Sequence, residues 1–240
     1  MNVNNAPSGD GGKTVIITGG NGNLGLAVTQ KFLDSGYNVI ATVINEAAKK
    51  DLPAHKNLQV EVVNLTHEGE TASFIATVID KYKKVDAALM LVGGFTMGNI
   101  SATSGTDLGK QFSLNFDTAY FTTRPLFQHM LGNGSGRLVY IGSRPALDAK
   151  SGKDVLAYAL SKSLLFKLAD YLNEEAKGKN VTATVVVPST LDTPLNRQNM
   201  AGADPGDWVK PEQVADILEW VTSEKGLPLR ETILKVYNNS

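Results

Sequence analysis

Tyr158 and Lys162 stand four residues apart in the run Tyr158-Ala159-Leu160-Ser161-Lys162. In a helix that spacing puts both side chains on nearly one face, a turn apart, where they can act on the same substrate atom. A phenol is a poor acid or base near neutrality because its reference pKa is about 10. A neighbouring ammonium favours the phenolate and lowers that value, and Lys162 is placed to supply the charge. A tyrosine tuned this way can exchange a proton with a carbinol oxygen, a step that general acid–base catalysis speeds by about 10²–10⁴-fold. An isolated Tyr-x-x-x-Lys is also what an exposed helical pair looks like, so the reading rests on what the rest of the chain arranges around it.

The elements needed to position such a pair can be read in order. Thr14-Val15-Ile16-Ile17 is β-branched throughout and ends in glycines, the signature of a short buried strand. Thr18-Gly19-Gly20-Asn21-Gly22-Asn23-Leu24-Gly25 then opens a helix with Leu24, Val28 and Phe32 on one face, stopping at Gly36. Val39 to Ile44 supplies the next strand and closes a βαβ unit. In such a unit glycines let the backbone approach a pyrophosphate, and the free N–H groups of the helix start attract it. The alternation continues with a short helix around Glu46 to Leu52, a strand at Leu58 to Val63 and a helix from Glu70 to Tyr82. A strand at Val85 to Val92 follows, then a helical region from Asp107 to Leu131 that Pro125 should break or kink. Next come a strand at Arg137 to Ile141, a helix from Val155 to Lys177, and strands at Val181 to Val187 and Ile233 to Tyr237. The long helix should bury Leu160, Leu164, Leu168 and Leu172, leaving Tyr158 and Lys162 off that stripe. Apolar strands alternating with helices imply an α/β fold, a Rossmann-type three-layer doubly wound parallel sheet of about seven strands. Without a linker, an internal repeat or a low-complexity tract, residues 13–240 read as one domain behind a loose, glycine-rich tail over residues 1–12.

Composition narrows the partners. The 23 basic and 24 acidic residues balance, so nothing marks a polyanion-binding surface, and nucleic acid is not an expected partner. The absence of cysteine excludes disulfides and thiolate chemistry. His55, His67 and His129 are scattered without ligand spacing, so no metal site is expected. The most apolar run, Ala87 to Val92, is far too short to span a bilayer. With no signal-peptide pattern at the start, the expected place is the cytoplasm, away from membranes.

From Lys13 onward the chain resembles the short-chain dehydrogenase/reductase family. The resemblance lies in Thr18-Gly19-x-x-x-x-x-Gly25, in Leu114-Asn115-Phe116, in Ser143 after Tyr140-Ile141-Gly142, and in Tyr158-x-x-x-Lys162. It implies an oxidoreductase that moves a hydride between NAD or NADP and a small-molecule carbonyl or alcohol. Tyr158 would be the acid/base and Ser143 would hold the substrate oxygen. Lys162 would bind the nicotinamide ribose and lower the tyrosine pKa, and Asn115 would orient a water in the proton relay. The residues read alone agree with this, because ligands of open α/β sheets bind outside the carboxyl ends of the strands, where Ser143 lies. The family is often oligomeric, which implies a homo-oligomer, dimer or tetramer.

The cofactor contacts implied are Gly19, Asn21, Gly22, Asn23, Leu24 and Gly25 in the turn, Val43 after the second strand, and Asn64 and Leu65 at the adenine. Further along they are Gly93, Gly94, Tyr158 and Lys162, then Pro188 and Thr193, the last as partner of the nicotinamide carboxamide. Several positions depart from the family pattern. Asn23 replaces a glycine of the turn, with Gly22 one place earlier, and asparagine tolerates positive φ. Leu91-Val92-Gly93-Gly94 stands where an Asn-Asn-Ala-Gly segment is usual, and Asn64 replaces an aspartate whose hydrogen bond its own oxygen could accept. Thr42-Val43-Ile44-Asn45 carries neither the acid that favours NAD nor the arginine that favours NADP, so both remain open.

The substrate should meet loops near Phe95 to Ser101, Arg144 to Asp154 and Leu191 to Trp208. Phe95, Met97, Leu147, Leu195, Met200 and Trp208 would be apolar walls, and Arg144 and Arg197 possible anion contacts. The segments Gly93-Gly94-Phe95-x-x-Gly98-Asn99 and Thr190 to Arg197 also resemble the quinonoid dihydropteridine reductases, a group that lacks the serine. Ser143 favours a carbonyl or alcohol. Reduction of a quinonoid substrate is the alternative, and a non-catalytic dinucleotide sensor is the third reading.

Overall fold

The β-branched and aliphatic runs pair side by side in the computed structural model, which describes residues 12–239. The strands are β1 (Thr14–Thr18), β2 (Asn38–Val43), β3 (Leu58–Val62), β4 (Ala87–Met90), β5 (Ser135–Ile141), β6 (Asn180–Pro188) and β7 (Ile233–Val236). They form one sheet in the order β3-β2-β1-β4-β5-β6-β7, parallel at every pairing. The loose tail expected over residues 1–12 lies, apart from Gly12, outside the described residues.

Side chains alternate along each strand, so the sheet feeds two cores. On one face Val15, Ile17, Val39, Leu89 and Val139 pack against Val28 and Phe32 of α1 (Asn23–Asp34) and Val214 and Leu218 of a helix at Pro211–Thr222. On the other, Ile16, Ile40, Leu138 and Tyr140 meet Ile75 and Val78 of α2 (Glu68–Tyr82) and Leu126 and Met130 of a helix at Thr118–Asn133. Leu165 and Phe166 of a helix at Leu156–Glu175 complete that face. Each fully buried aliphatic or aromatic side chain contributes about 1.5–3 kcal/mol. The result is the three-layer, doubly wound Rossmann-type arrangement. The connections reverse direction between β1 and β4, which opens a crevice at their carboxyl ends.

Three regions differ in extent or type from the sequence reading. β4 is shorter than Val85 to Val92 because side chains take its flanking amides: Val85 N–H donates to His129 Nε2 (3.3 Å), and Leu91 N–H to Thr18 Oγ1 (2.9 Å). The helix after β2 is a 3₁₀ segment, Glu46–Asp51, capped by the Asn45 side chain at Ala48 N–H. Pro125 does not end its helix. Burial of Thr122, Thr123, Leu126, Phe127 and Met130 holds the backbone on both sides of it. The break comes earlier, where α3 (Gly105–Phe112) passes into α4 (Thr118–Asn133) through a π turn at Ser113–Asp117.

The buried face of the long helix is also rotated from expectation. After a short α5 (Ala149–Gly152), α6 (Leu156–Glu175) buries Ala157, Ala159, Ser161, Lys162, Leu165, Phe166, Ala169 and Leu172, while Leu160 is exposed. Small side chains face inward because α6 is pressed against α3, the π turn and β6, and Lys162 goes in with them. Three helices have no counterpart in the sequence reading: α5, α7 (Pro194–Asn199) and α8 (Pro211–Thr222). The apolar spacing Val214, Ile217, Leu218, Val221 behind Pro211 was the available signal for α8.

Candidate active site

The carboxyl ends of β1, β4, β5 and β6 surround the crevice. At β1 the chain turns through Gly19, whose φ of +67° suits glycine. Gly19 N–H donates to Thr42 Oγ1 (3.2 Å) and Gly20 N–H to Thr42 O (2.9 Å), fastening the turn to β2. A Cβ on Gly25 would collide with the carbonyl oxygen of Gly19 and with the backbone of Gly20, so α1 starts directly against the turn. The first turn of α1 carries no acidic residue, and its leading N–H groups are free as at any helix start. A backbone-lined hollow ending at a helix N-terminus fits a pyrophosphate. Asn23 needs no left-handed tolerance, because it is the first helical residue and its φ is not positive.

The other implied dinucleotide contacts are spread around this turn. Asn21 Nδ2 donates to Asp51 Oδ2 (3.2 Å), Gly22 is the N-cap of α1, and Leu24 is buried beneath it. Val43 is buried at the end of β2. Asn64 does not offer a free oxygen to an adenine: its Oδ1 already accepts from Thr66 N–H (3.2 Å) and Thr66 Oγ1 (2.7 Å), closing an Asx turn. Leu65 is buried behind it. Pro188 ends β6, and Thr193 caps α7, its hydroxyl accepting from Asn196 N–H (3.2 Å) while keeping its own hydrogen.

Asn115 sits in the π turn, a helix irregularity frequent at functional sites. It is buried, and its side chain is fully engaged. Oδ1 accepts from Gly94 N–H (2.8 Å), and Nδ2 faces Gly94 O (3.0 Å), Gln111 Oε1 (2.8 Å) and Ser161 Oγ (3.0 Å), three acceptors for two hydrogens. The amide thus has no hydrogen to spare for a water, and what it holds is the loop after β4. Gly93 lies between Asn115 and Lys162: a Cβ there would stand 2.7 Å from Asn115 Oδ1 and 3.0 Å from Lys162 Nζ.

Lys162 Nζ donates to Ile141 O at the end of β5 (2.8 Å) and makes no other bond among the described residues. Burial without a carboxylate brings its pKa down to about 8. Ser143 follows β5, and its hydroxyl is buried with no complete hydrogen bond to any described residue. The Tyr158 hydroxyl lies beside it. Burial raises the phenol pKa, and the approach of Ser143 pulls it back. Against the sequence reading the phenol pKa is thus raised rather than lowered, because burial outweighs the pull of Ser143, and the Lys162 ammonium faces the Ile141 carbonyl.

Phe95, 61 % exposed, sets its ring edge-on to Tyr158 with centroids 5.1 Å apart. Its loop is tied to the start of α6 by two backbone bonds, Gly98 N–H to Asp154 O (2.9 Å) and Leu156 N–H to Gly98 O (2.8 Å). Met97, Leu147, Leu195 and Met200 are exposed on the expected loops, but Trp208 is buried and presents no open wall. Arg197 is not a free cation, since it forms a two-pronged pair with Asp192 (2.6 and 2.8 Å). Arg144 lies over the Tyr237 ring (5.3 Å). Sequence reasoning quoted Thr18 as the start of the glycine turn but gave no role to Thr42, Gln111 or Ser161. Of these three, Gln111 and Ser161 carried a signal, standing four residues before Asn115 and one before Lys162.

Comparison with known proteins places this geometry among relatives. A family model described as short chain dehydrogenase matches residues 13–204. A dihydropteridine reductase from Dictyostelium discoideum is 28 % identical over 232 residues, covering 95 % of this chain and 96 % of that protein. The structure of ElxO with NADP bound superposes with a TM-score of 0.86 at 21 % identity, covering 94 % of this chain and 97 % of that one. A 3-ketoacyl-(acyl-carrier-protein) reductase from Brucella melitensis complexed with NADH gives 0.85 at 18 % identity, covering 95 % and 98 %.

Proposed function

The chain belongs to the short-chain dehydrogenase family, and on that premise we propose that it moves a hydride between NAD or NADP and the carbon of a small carbonyl or alcohol, with Tyr158 as acid/base. The observation that carries this reading is the buried, unpartnered Ser143 hydroxyl beside the Tyr158 hydroxyl. A buried polar atom left unpaired is costly, and a substrate oxygen held between the two hydroxyls relieves it.

When bound, the nicotinamide supplies or accepts the hydride. Gly19 to Gly25 hold the pyrophosphate, Gly93 and Gly94 give the backbone access beside Lys162, and Thr193 is the donor for the carboxamide. Val43 and Leu65 are buried and would meet the adenosine end only through their backbone, and Pro188, which ends β6, would stand near the carboxamide. In reduction Tyr158 gives its hydroxyl proton to the forming alkoxide while Ser143 donates a hydrogen bond to the same oxygen. Lys162 has ammonium hydrogens left for the ribose and, with a substrate excluding water, supports the phenolate that forms. Asn115 keeps the Gly94 loop in place. The exposed Leu160 and Tyr171 of α6 and Tyr120 of α4 are apolar surface suited to a second copy of the chain, in keeping with a homo-oligomer. Among the described residues no helix is long and apolar enough to cross a membrane.

A second reading is reduction of a quinonoid dihydropterin, supported by the Dictyostelium relative and by the exposed Phe95 ring at the catalytic tyrosine. Tyr158→Phe, assayed with both reduced cofactors against carbonyls and quinonoid pterins, should abolish turnover and leave cofactor affinity nearly unchanged. Wild-type turnover in that variant would rule the mechanism out. A wild-type protein that binds dinucleotide but turns over nothing in the panel would instead be the sensor.

A further inference from the structure

In a sheet of this kind the adenosine ribose lies outside the end of β2, where an acid about twenty residues beyond the glycine turn accepts its 2′-hydroxyl. This chain puts apolar Val43 and Ile44 there. The next polar side chain, Asn45, is spent on the Ala48 amide, and Lys49 is paired with Glu46 (3.0 Å). A carboxylate nonetheless reaches the glycine turn from farther along. Asp51, the last residue of the 3₁₀ segment, accepts a hydrogen bond from Asn21 Nδ2 (3.2 Å). Its backbone is fixed from both sides, because Ala48 and Leu52 bury themselves against Ala41 and Val43 in a small apolar cluster over β2. Asn21 then holds the side chain against the turn, so one oxygen is anchored and the other is left to accept. Asp51 is exposed, and its neighbour Lys50 bonds nothing in the turn among the described residues.

We propose that Asp51, delivered from the segment after β2 and held by Asn21, takes the role of the missing acid: it accepts the ribose 2′-hydroxyl, repels a 2′-phosphate and makes this protein prefer NAD. This rests on the dinucleotide-binding reading above and decides between the two cofactors that reading leaves open. The geometry differs from an acid on the strand itself, because the side chain is aimed by a residue of the turn. Asn21 therefore becomes a positioning residue for the choice.

The test is equilibrium binding, followed by cofactor fluorescence and independent of any substrate, with NADH and NADPH titrated into wild type, Asp51→Asn, Asn21→Ala and Lys50→Ala. Wild type should bind NADH at least about tenfold more tightly than NADPH at low salt, with the ratio shrinking as salt screens the repulsion. Asp51→Asn should bring the ratio close to one, chiefly by gaining NADPH affinity. Asn21→Ala should move it the same way by less, and Lys50→Ala should leave it unchanged. A wild type that prefers NADPH, or an Asp51→Asn ratio equal to wild type, overturns the proposal while leaving the hydride-transfer reading intact. Failure of every variant and of wild type to bind either cofactor overturns both.

Discussion

Toward the amino end of β5, Arg137 is buried with both terminal nitrogens of its guanidinium bonded: it donates to Gly136 O (2.7 Å), Asn180 O (2.8 Å) and Asn180 Oδ1 (2.7 Å). One residue before that strand's last, the fully buried Tyr140 hydroxyl pairs with Thr123 (2.8 Å), and burial pushes its pKa well up. At the carboxyl end the pattern reverses. Ser143 has no complete partner, and the Lys162 ammonium has one where it could make three. The buried polar groups on the strand itself are thus closed off, while those just beyond its carboxyl end, Ser143 after the strand and Lys162 on α6, are left open. The closed ones specify the fold, and the open ones are where a ligand has something to gain.

The comparison can be broken by substitutions at matched positions, beginning with the largest change in stability. Lys162→Met should lose turnover by at least about a thousandfold, yet stabilise the free protein by up to about 3 kcal/mol at neutral pH, since it removes a buried charge whose pKa is held near 8. The sign follows from the depressed value. Between about pH 8 and the ordinary lysine range near 10.5 the unfolded chain holds more protons, so wild-type stability climbs with pH and the variant's advantage fades there. A denaturant series at pH 7 and pH 10 reads this. Arg137→Met should act the other way, destabilising by about 2–3 kcal/mol as carbonyls lose their donor, with kcat of the folded fraction unchanged. A smaller loss, about 1 kcal/mol, is expected for Thr123→Val, again without effect on turnover. Ser143→Ala should leave stability unchanged or raise it slightly, because it removes a buried hydroxyl without a complete partner, while turnover drops about a hundredfold. Equal losses of stability at Thr123 and Ser143 would erase the distinction.

Much of this was legible in the chain. The β-branched runs fixed the strand positions within a residue or two, and the glycine turn, Ser143, Tyr158 and Lys162 do converge on one crevice. What could not be read is where polar side chains replace ladder bonds. Thr18 and His129 trim β4 at its two ends, and nothing local to that strand announces them. Helical periodicity alone also misplaced the inward face of α6. A leucine stripe is the default signal for burial, but here packing against α3 and β6 selects small residues and one lysine. Asn64 was assigned to a ligand when its own turn consumes it, since an Asx turn and a binding asparagine look the same in sequence.

The two backbone bonds between Gly98 and the start of α6 join the Phe95 loop to the helix that carries Tyr158. On the proposed function, moving the strip that bears Phe95 would pull on the turn that aims the phenol, and admission and alignment would be mechanically one event. A molecule too bulky for the doorway would pry the tyrosine out of register as it entered. Selectivity for size would then register as a slower chemical step, with affinity little altered.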